Sequence, residues 1–322
     1  MDVPGLTDAL NAIVAATEGS PWEVSGFALR AVLAVAAVSV TCGLVGSLVV
    51  GNRMAFFSDA MAHTAFAGVA FALLGIVVLT GARTGTDADG YLWVVPLVMV
   101  AFGAVVGVFI AFVREQTQLT NDTVIGVFFA LSIGFGAMFL PALQKRVNLD
   151  IEQFLLGGVN FVNDADLAML LGLAAVTSAI VGFRFNALVF GSFNPSLARS
   201  RGLALRLNNY LFIVLLALVV NLSIRAVGVL LINALLVVPA AAAANVANNL
   251  RQMFWFTLAG SVASGLTGYV VSTHLLIPVG HGAPLEFGPA GTIVVVCVAW
   301  FFATMAWTAA RRKTRSVGPP AA

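Results

Sequence analysis

Long apolar blocks alternate with short polar stretches along this chain of 322 residues. The blocks fall at residues 27–50, 57–80, 91–113, 122–142, 166–185, 208–223, 253–276 and 290–310. A helix of about 20 residues crosses a hydrocarbon core about 30 Å thick, and most of the blocks reach that length. Backbone in lipid must satisfy its own hydrogen bonds, which leaves helices or a closed barrel. Barrel strands would alternate polar and apolar residues over about ten positions. These blocks are apolar on every side and rich in Gly and Ala, so they predict helices. A further apolar stretch, Val227 to Val238, is too short to cross and meets Pro239, which predicts a half-helix. The expected fold is all-α, a polytopic transmembrane helix bundle of about eight spans plus one half-helix.

Composition strengthens that picture. Hydrophobic residues make up 60% of the chain and charged residues 9%, against about 25% charged in soluble domains. The net charge of +2 leaves no electrostatic footprint for nucleic acid. Cys42 and Cys297 sit in separate apolar blocks and read as small packing residues rather than a disulfide or a metal pair. Residues 1–26 lack the basic start and short apolar run of a cleaved signal. They read as an acidic, partly amphipathic extracytoplasmic leader at the membrane surface, followed by a transmembrane domain at 27–310 and a basic cytoplasmic tail at 311–322.

The basic residues set the expected orientation, because Lys and Arg concentrate on the cytoplasmic side. With the N-terminus outside and the C-terminus cytoplasmic, Arg53, Arg114, Arg184, Arg199, Arg201, Arg206, Arg251 and the Arg311–Arg315 cluster all face inward. The flipped topology reverses this distribution. The same topology puts Asp87, Asp89, Asp150, Glu152, Asp164 and Asp166 outside, where a negative potential would concentrate cations. Gly260, Ser264 and Gly268 recur every four residues, as do Gly103 and Gly107. Small residues at that spacing let helix backbones approach closely in lipid.

Ionisable side chains within a span cost about 2.5–3.5 kcal/mol on insertion scales and so mark candidate function. The outstanding pair is Asp59 and His63, four apart in the second block. That spacing places both on one helix face with Cβ atoms about 5–6 Å apart. Carboxylate and imidazole can then share a small borderline cation, zinc first, with manganese or iron as alternatives. Two ligands leave the site incomplete, as suits an ion that must also depart. The structural alternative is that Ser58 or Asp59 caps the helix and His63 is a hydrogen-bonded core residue. His274 and His281 flank the seventh block and are weaker candidates, for metal entry. Asn221, Arg225 and Asn233 read as partners for backbone near the half-helix, and Asp122 as a cap. The chain contains no G-x-x-x-x-G-K-[ST], H-E-x-x-H or G-x-S-x-G, so an energy-driven transporter built on it would need a separate motor.

Several segments, in order, carry a family resemblance: Gly51-Asn52-Arg53-Met54 with Phe57-Ser58-Asp59-Ala60-Met61-Ala62-His63, then Asp122-Thr123-Val124-Ile125-Gly126, then Phe154-Leu155-Leu156-Gly157. Phe193-Asn194-Pro195 through Gly202-Leu203 follows, and then Val227-Gly228-Val229-Leu230-Leu231 through Val238-Pro239-Ala240. Together they resemble the membrane permease subunits of bacterial zinc, manganese and iron ABC importers. Asn52, Ser58 and Asn194 stand where that family has Arg, Gly and Asp. The resemblance implies a homodimer with ATP-binding cassette ATPase subunits beneath and an extracytoplasmic substrate-binding protein above. The chain would be no enzyme itself, would hold no permanent cofactor and would carry a divalent metal ion as cargo. Asp59 and His63 would be its metal contacts. Pro239, Asn245, Asn248, Asn249 and Arg251 would belong to a surface helix coupling to the ATPase, with Asn194, Pro195, Arg199 and Gly202 in a second cytoplasmic contact. The competing functions are a permease for a metal chelate or organic cofactor, and a self-sufficient ion-coupled secondary transporter, which would show internal repeats and several intramembrane acids.

Overall fold

The computed structural model of the protein describes residues 4–17, 25–80, 91, 93–117, 119–144, 158–159, 162–193, 200, 202, 204–275 and 287–316. Among them are ten helices and no strand: α1 (Pro4–Thr17), α2 (Gly26–Gly51), α3 (Phe57–Thr80), α4 (Val94–Gln116), α5 (Asn121–Gln144), α6 (Asp164–Phe193), α7 (Leu205–Val227), α8 (Val229–Val246), α9 (Leu250–His274) and α10 (Pro289–Ser316). All but α1 are long and apolar enough to cross a membrane, nine in all among the described residues. The helices form two compact units, one from Met1–Val50, Val159–Ser178 and Leu230–Ala322, the other from Gly51–Gly158 and Ala179–Val229.

In the first unit α2 is the buried centre: Ala34, Val35, Val38, Cys42, Val45 and Leu48 are almost wholly excluded from solvent. Its glycines set how closely its neighbours come. A Cβ on Gly46 would lie 2.4 Å from the Leu236 carbonyl oxygen of α8, and one on Gly43 would lie 2.9 Å from the Leu258 Cα of α9. The small-residue spacing on α9 also works as expected, since a Cβ on Gly268 would meet the Ile293 Cα of α10 at 2.6 Å. Cys42 and Cys297 are free and buried, and the Cys297 thiol donates to Ser264 Oγ at 3.3 Å. The leader helix α1 is tied down: Leu10 is buried, and the Thr7 hydroxyl donates to Asp164 Oδ2 at 2.7 Å. Arg30 donates to the other oxygen of the same carboxylate, at the start of α6, where Asn163 supplies the cap.

One expectation needs correction. The half-helix ending at Pro239 is instead the first part of an 18-residue helix, α8, with Pro239 inside it. A proline removes one N–H and orphans the carbonyl four residues earlier, here that of Leu235. Ser261 of α9 reaches that carbonyl with its hydroxyl at 3.4 Å while donating to Ser39 O at 2.9 Å. Hydroxyls from neighbouring helices commonly rescue membrane prolines in this way. The buried Pro239 therefore continues the helix, and residues 240–246 belong to a span rather than to a separate surface helix.

In the second unit α3 lies among α4, α5 and α7. Gly103 and Gly107 of α4 admit Asn221 and Ala217 of α7. The α7 core residues Ile213, Leu216, Val219 and Val220 are fully buried. The Thr64 and Ser132 hydroxyls join α3 to α5 at 3.0 Å. α7 gives way to α8 through Gly228 alone, at φ 84 and ψ 165, a backbone region essentially restricted to glycine.

Candidate functional site

The approach to α3 is a short turn from the end of α2. Arg53 there takes φ 55, and the turn is pinned by side-chain amides: Asn121 Nδ2 donates to Asn52 O at 2.7 Å, and Asn52 Nδ2 to Ser192 Oγ at 2.7 Å. The chain enters α3 at Phe57, with Asp59 in its first turn. Asp59 is thus the third residue of the helix rather than its cap. Its carboxylate still lies where the positive end of the helix dipole favours it. The fourth block begins in the same manner: the Thr120 hydroxyl, not Asp122, accepts the Thr123 N–H.

From Phe57 to Ala70 every residue is buried except Asp59, His63 and Phe66. That is an i, i+4, i+7 stripe, one face of a helix left partly open while the rest is sealed in the core. Both ligand-type side chains lie on this stripe. The His63 imidazole stands edge-on to the Phe129 ring of α5, centroids 4.8 Å apart at 86°, and 6.0 Å from Phe66. Phe129 is in turn 5.2 Å from Phe56. The Thr64–Ser132 hydrogen bond, one residue along, fixes the register of α5 beside this histidine. Aromatic walls on one side leave the imidazole nitrogens little freedom to sweep. Among the described residues no group of three or more His, Cys, Asp or Glu gathers in metal-binding geometry. Among the described residues, Asp59 and His63 are therefore not joined by a third such side chain.

The other candidates fall elsewhere. His274 is exposed at the last position of α9, in the first unit, and His281 lies outside the described residues. Asn245 is held at the end of α8, its Nδ2 donating to Thr304 Oγ1 at 3.3 Å and its carbonyl accepting from Thr308 at 3.0 Å. Residues 247–249 alone connect α8 to α9. Asn249 caps α9 by accepting from Gln252 N at 2.8 Å, and Gln252 Oε1 accepts the Asn248 N–H at 3.0 Å, a reciprocal cap. Arg251 beside it is exposed. Gly202 is exposed at a turn with φ 69, whereas Asn194, Pro195 and Arg199 lie outside the described residues. Asn221 donates to Ala217 O within its own helix at 2.8 Å. Phe66, Phe129 and Ser132 were not among the sequence candidates, because nothing in their local pattern distinguishes them from core.

Nine apolar helices among the described residues, each long enough to cross a membrane, make the chain a multi-pass membrane protein. The model of the ABC 3 transport family matches residues 25–308, and the chain belongs to that family. The chain is similar to the manganese import system permease protein ScaB of Streptococcus parasanguinis, 28% identical over 255 residues, 79% of this chain and 84% of that protein. It is 26% identical over 250 residues, 77% of this chain and 85% of the relative, to the "Probable iron transport system membrane protein" of Haemophilus influenzae. Its fold is shared with PsaBC from Streptococcus pneumoniae, solved in complex with Fab, at a TM-score of 0.65 and 21% identity over 94% of this chain and 95% of that one. The protein is a multi-pass permease of the bacterial cell membrane, the transport subunit of an ABC system whose ATP hydrolysis is done by a separate chain. Membership sets aside the self-sufficient secondary transporter.

Proposed function

We propose that this permease imports a divalent transition metal, manganese first, and passes the ion along the Asp59–His63 face of α3. The observation that carries the reading is the open stripe: the one carboxylate and the one histidine of α3 share it, on a helix otherwise buried from Phe57 to Ala70. Mixed oxygen and nitrogen ligands suit manganese, iron and zinc alike. The relatives named for manganese and iron move manganese ahead of zinc. A station with two protein ligands holds an ion weakly enough to release it, provided water or another chain completes the shell. The working assembly is a homodimer with its N-termini outside, ATPase subunits at the cytoplasmic face and a substrate-binding protein outside. Asn248, Asn249 and Arg251 at the α8–α9 turn and Gly202 near the start of α7 are its proposed ATPase-facing points. His274 is a proposed entry residue.

The test is ATP-dependent uptake of manganese, iron and zinc into proteoliposomes holding the permease with its ATPase and binding protein. Asp59→Ala and His63→Ala should each lower uptake by on the order of tenfold or more while assembly is unchanged. Unaltered uptake in both variants would remove the Asp59–His63 path, and uptake of zinc alone would restore the first cargo assignment.

A further inference from the structure

A second polar feature of the α3-containing unit is lined by neither Asp59 nor His63. A cavity of about 600 Å³ opens where the ends of α4 and α6 meet the start of α7, a volume in the range of small-molecule sites. Its walls are of two kinds. Leu188, Leu205 and Phe212 supply an apolar side, and Arg114, Gln116 and Asn208 a polar one.

The charges do not cancel within it. Glu115 is occupied by Arg206 Nε at 2.8 Å and by the Tyr210 hydroxyl at 3.2 Å. Arg114 is left over, and among the described residues the hydrogen-bond acceptor it finds is the Met54 thioether at 3.3 Å. A guanidinium facing sulfur is poorly matched, since its forked donors suit carboxylate or phosphate oxygens. α7 starts at Leu205 behind Ala204, which offers no side-chain cap, and Leu205 and Arg206, at the positive end of the helix dipole, line the cavity. Asn208, one turn in, is only 4% exposed, and its Oδ1 is buried without a hydrogen-bond partner.

A surplus arginine and uncapped helix N–H groups ask for an anion, and an orphan amide oxygen asks for a hydroxyl donor. The apolar wall asks for hydrocarbon, and the cavity adjoins helix ends that bound membrane spans. We infer that it binds the head group of an anionic glycerophospholipid: the phosphodiester on Arg114 and the α7 N-terminus, a head-group hydroxyl on Asn208. Basic pockets between transmembrane helices recognise such lipids elsewhere. The same phosphate-plus-hydroxyl chemistry exists in soluble glycerol phosphate, so the experiment must separate the two sources. The inference stands apart from the choice of metal.

The permease is assembled with its ATPase in detergent and titrated with short-chain phosphatidylglycerol, short-chain phosphatidylcholine and glycerol phosphate. Binding is read by native mass spectrometry and thermal protection. Phosphatidylglycerol should bind on the order of tenfold more tightly than phosphatidylcholine. Arg114→Gln and Asn208→Leu, which removes the acceptor oxygen at nearly the same size, should each lose about tenfold of that affinity. A normal melting temperature of either variant without lipid separates lost binding from lost folding. Protection by glycerol phosphate at equal concentration would support the site and assign it to a soluble ligand. Equal binding of the two lipids, or unchanged affinity in both variants, would each overturn the inference.

Discussion

Gly46→Ala isolates the closest approach in the first unit. The new methyl would sit 2.4 Å from the Leu236 carbonyl oxygen and 3.4 Å from Thr257 Cγ2. Carbon is comfortable about 3.5 Å or more from such atoms, so α8 must retreat by about 1 Å. The obstacle is backbone, which cannot rotate aside as a side chain would. Overpacking of this kind costs about 1–3 kcal/mol, and replacing glycine by alanine within a helix returns about 0.5–1 kcal/mol. The net loss is about 1–2 kcal/mol. At about 2–4 °C per kcal/mol for units of this size, the melting temperature should fall by several degrees. Gly75→Ala is the matched control, because nothing lies within 4 Å of its Cβ position in α3; it should be neutral or slightly stabilising. Both variants are heated in detergent and scored by the folded fraction surviving size exclusion. If Gly46→Ala matches wild type, or Gly75→Ala falls by as much, the close α2–α8 approach is refuted.

The remaining stability predictions use the same assay. Ser261→Ala should cost about 1–3 kcal/mol, because it leaves the Leu235 carbonyl beside Pro239 buried without a donor. In a Pro239→Ala background, where the helix satisfies that carbonyl itself, the same change should cost less; equal costs would show that the hydroxyl is not compensating for the proline. Gly228→Ala should cost about 1–3 kcal/mol, since φ 84 with ψ 165 strains any side chain, and an unchanged melting temperature would contradict that backbone.

The sequence made the fold legible where a local signal was enough. The block at 57–80 became Phe57–Thr80 and that at 27–50 became Gly26–Gly51, because each apolar run ends in polar or turn-forming residues that cannot enter lipid. The error at Pro239 has the opposite origin. A missing N–H is visible in the sequence, whereas the compensating hydroxyl of Ser261 comes from the next helix. Gly46 shows the same division. Its small size is plain from the chain, but only the packing reveals that a carbonyl of α8 occupies the space.

The candidate site divides along the same line. Helical periodicity puts Asp59 and His63 on one face without any knowledge of tertiary structure, yet it cannot say whether that face is sealed. In the folded protein Ala60, Met61, Ala62, Thr64 and Ala65 are buried while the two ligand-type residues are half-buried. A purely structural histidine would be expected among the sealed positions, with its nitrogens paired to backbone or hydroxyl. His63 instead stands beside Phe129 with a ring edge contact, and the nearby hydroxyls of Thr64 and Ser132 are spent on each other and on their own helices. The T-shaped contact with Phe129 holds the imidazole ring without supplying an oxygen or nitrogen partner. A half-buried imidazole held by aromatic contacts is suited to a ligand that comes and goes. That combination, more than the Asp-x-x-x-His spacing alone, favours a transit point over a helix cap with a core histidine.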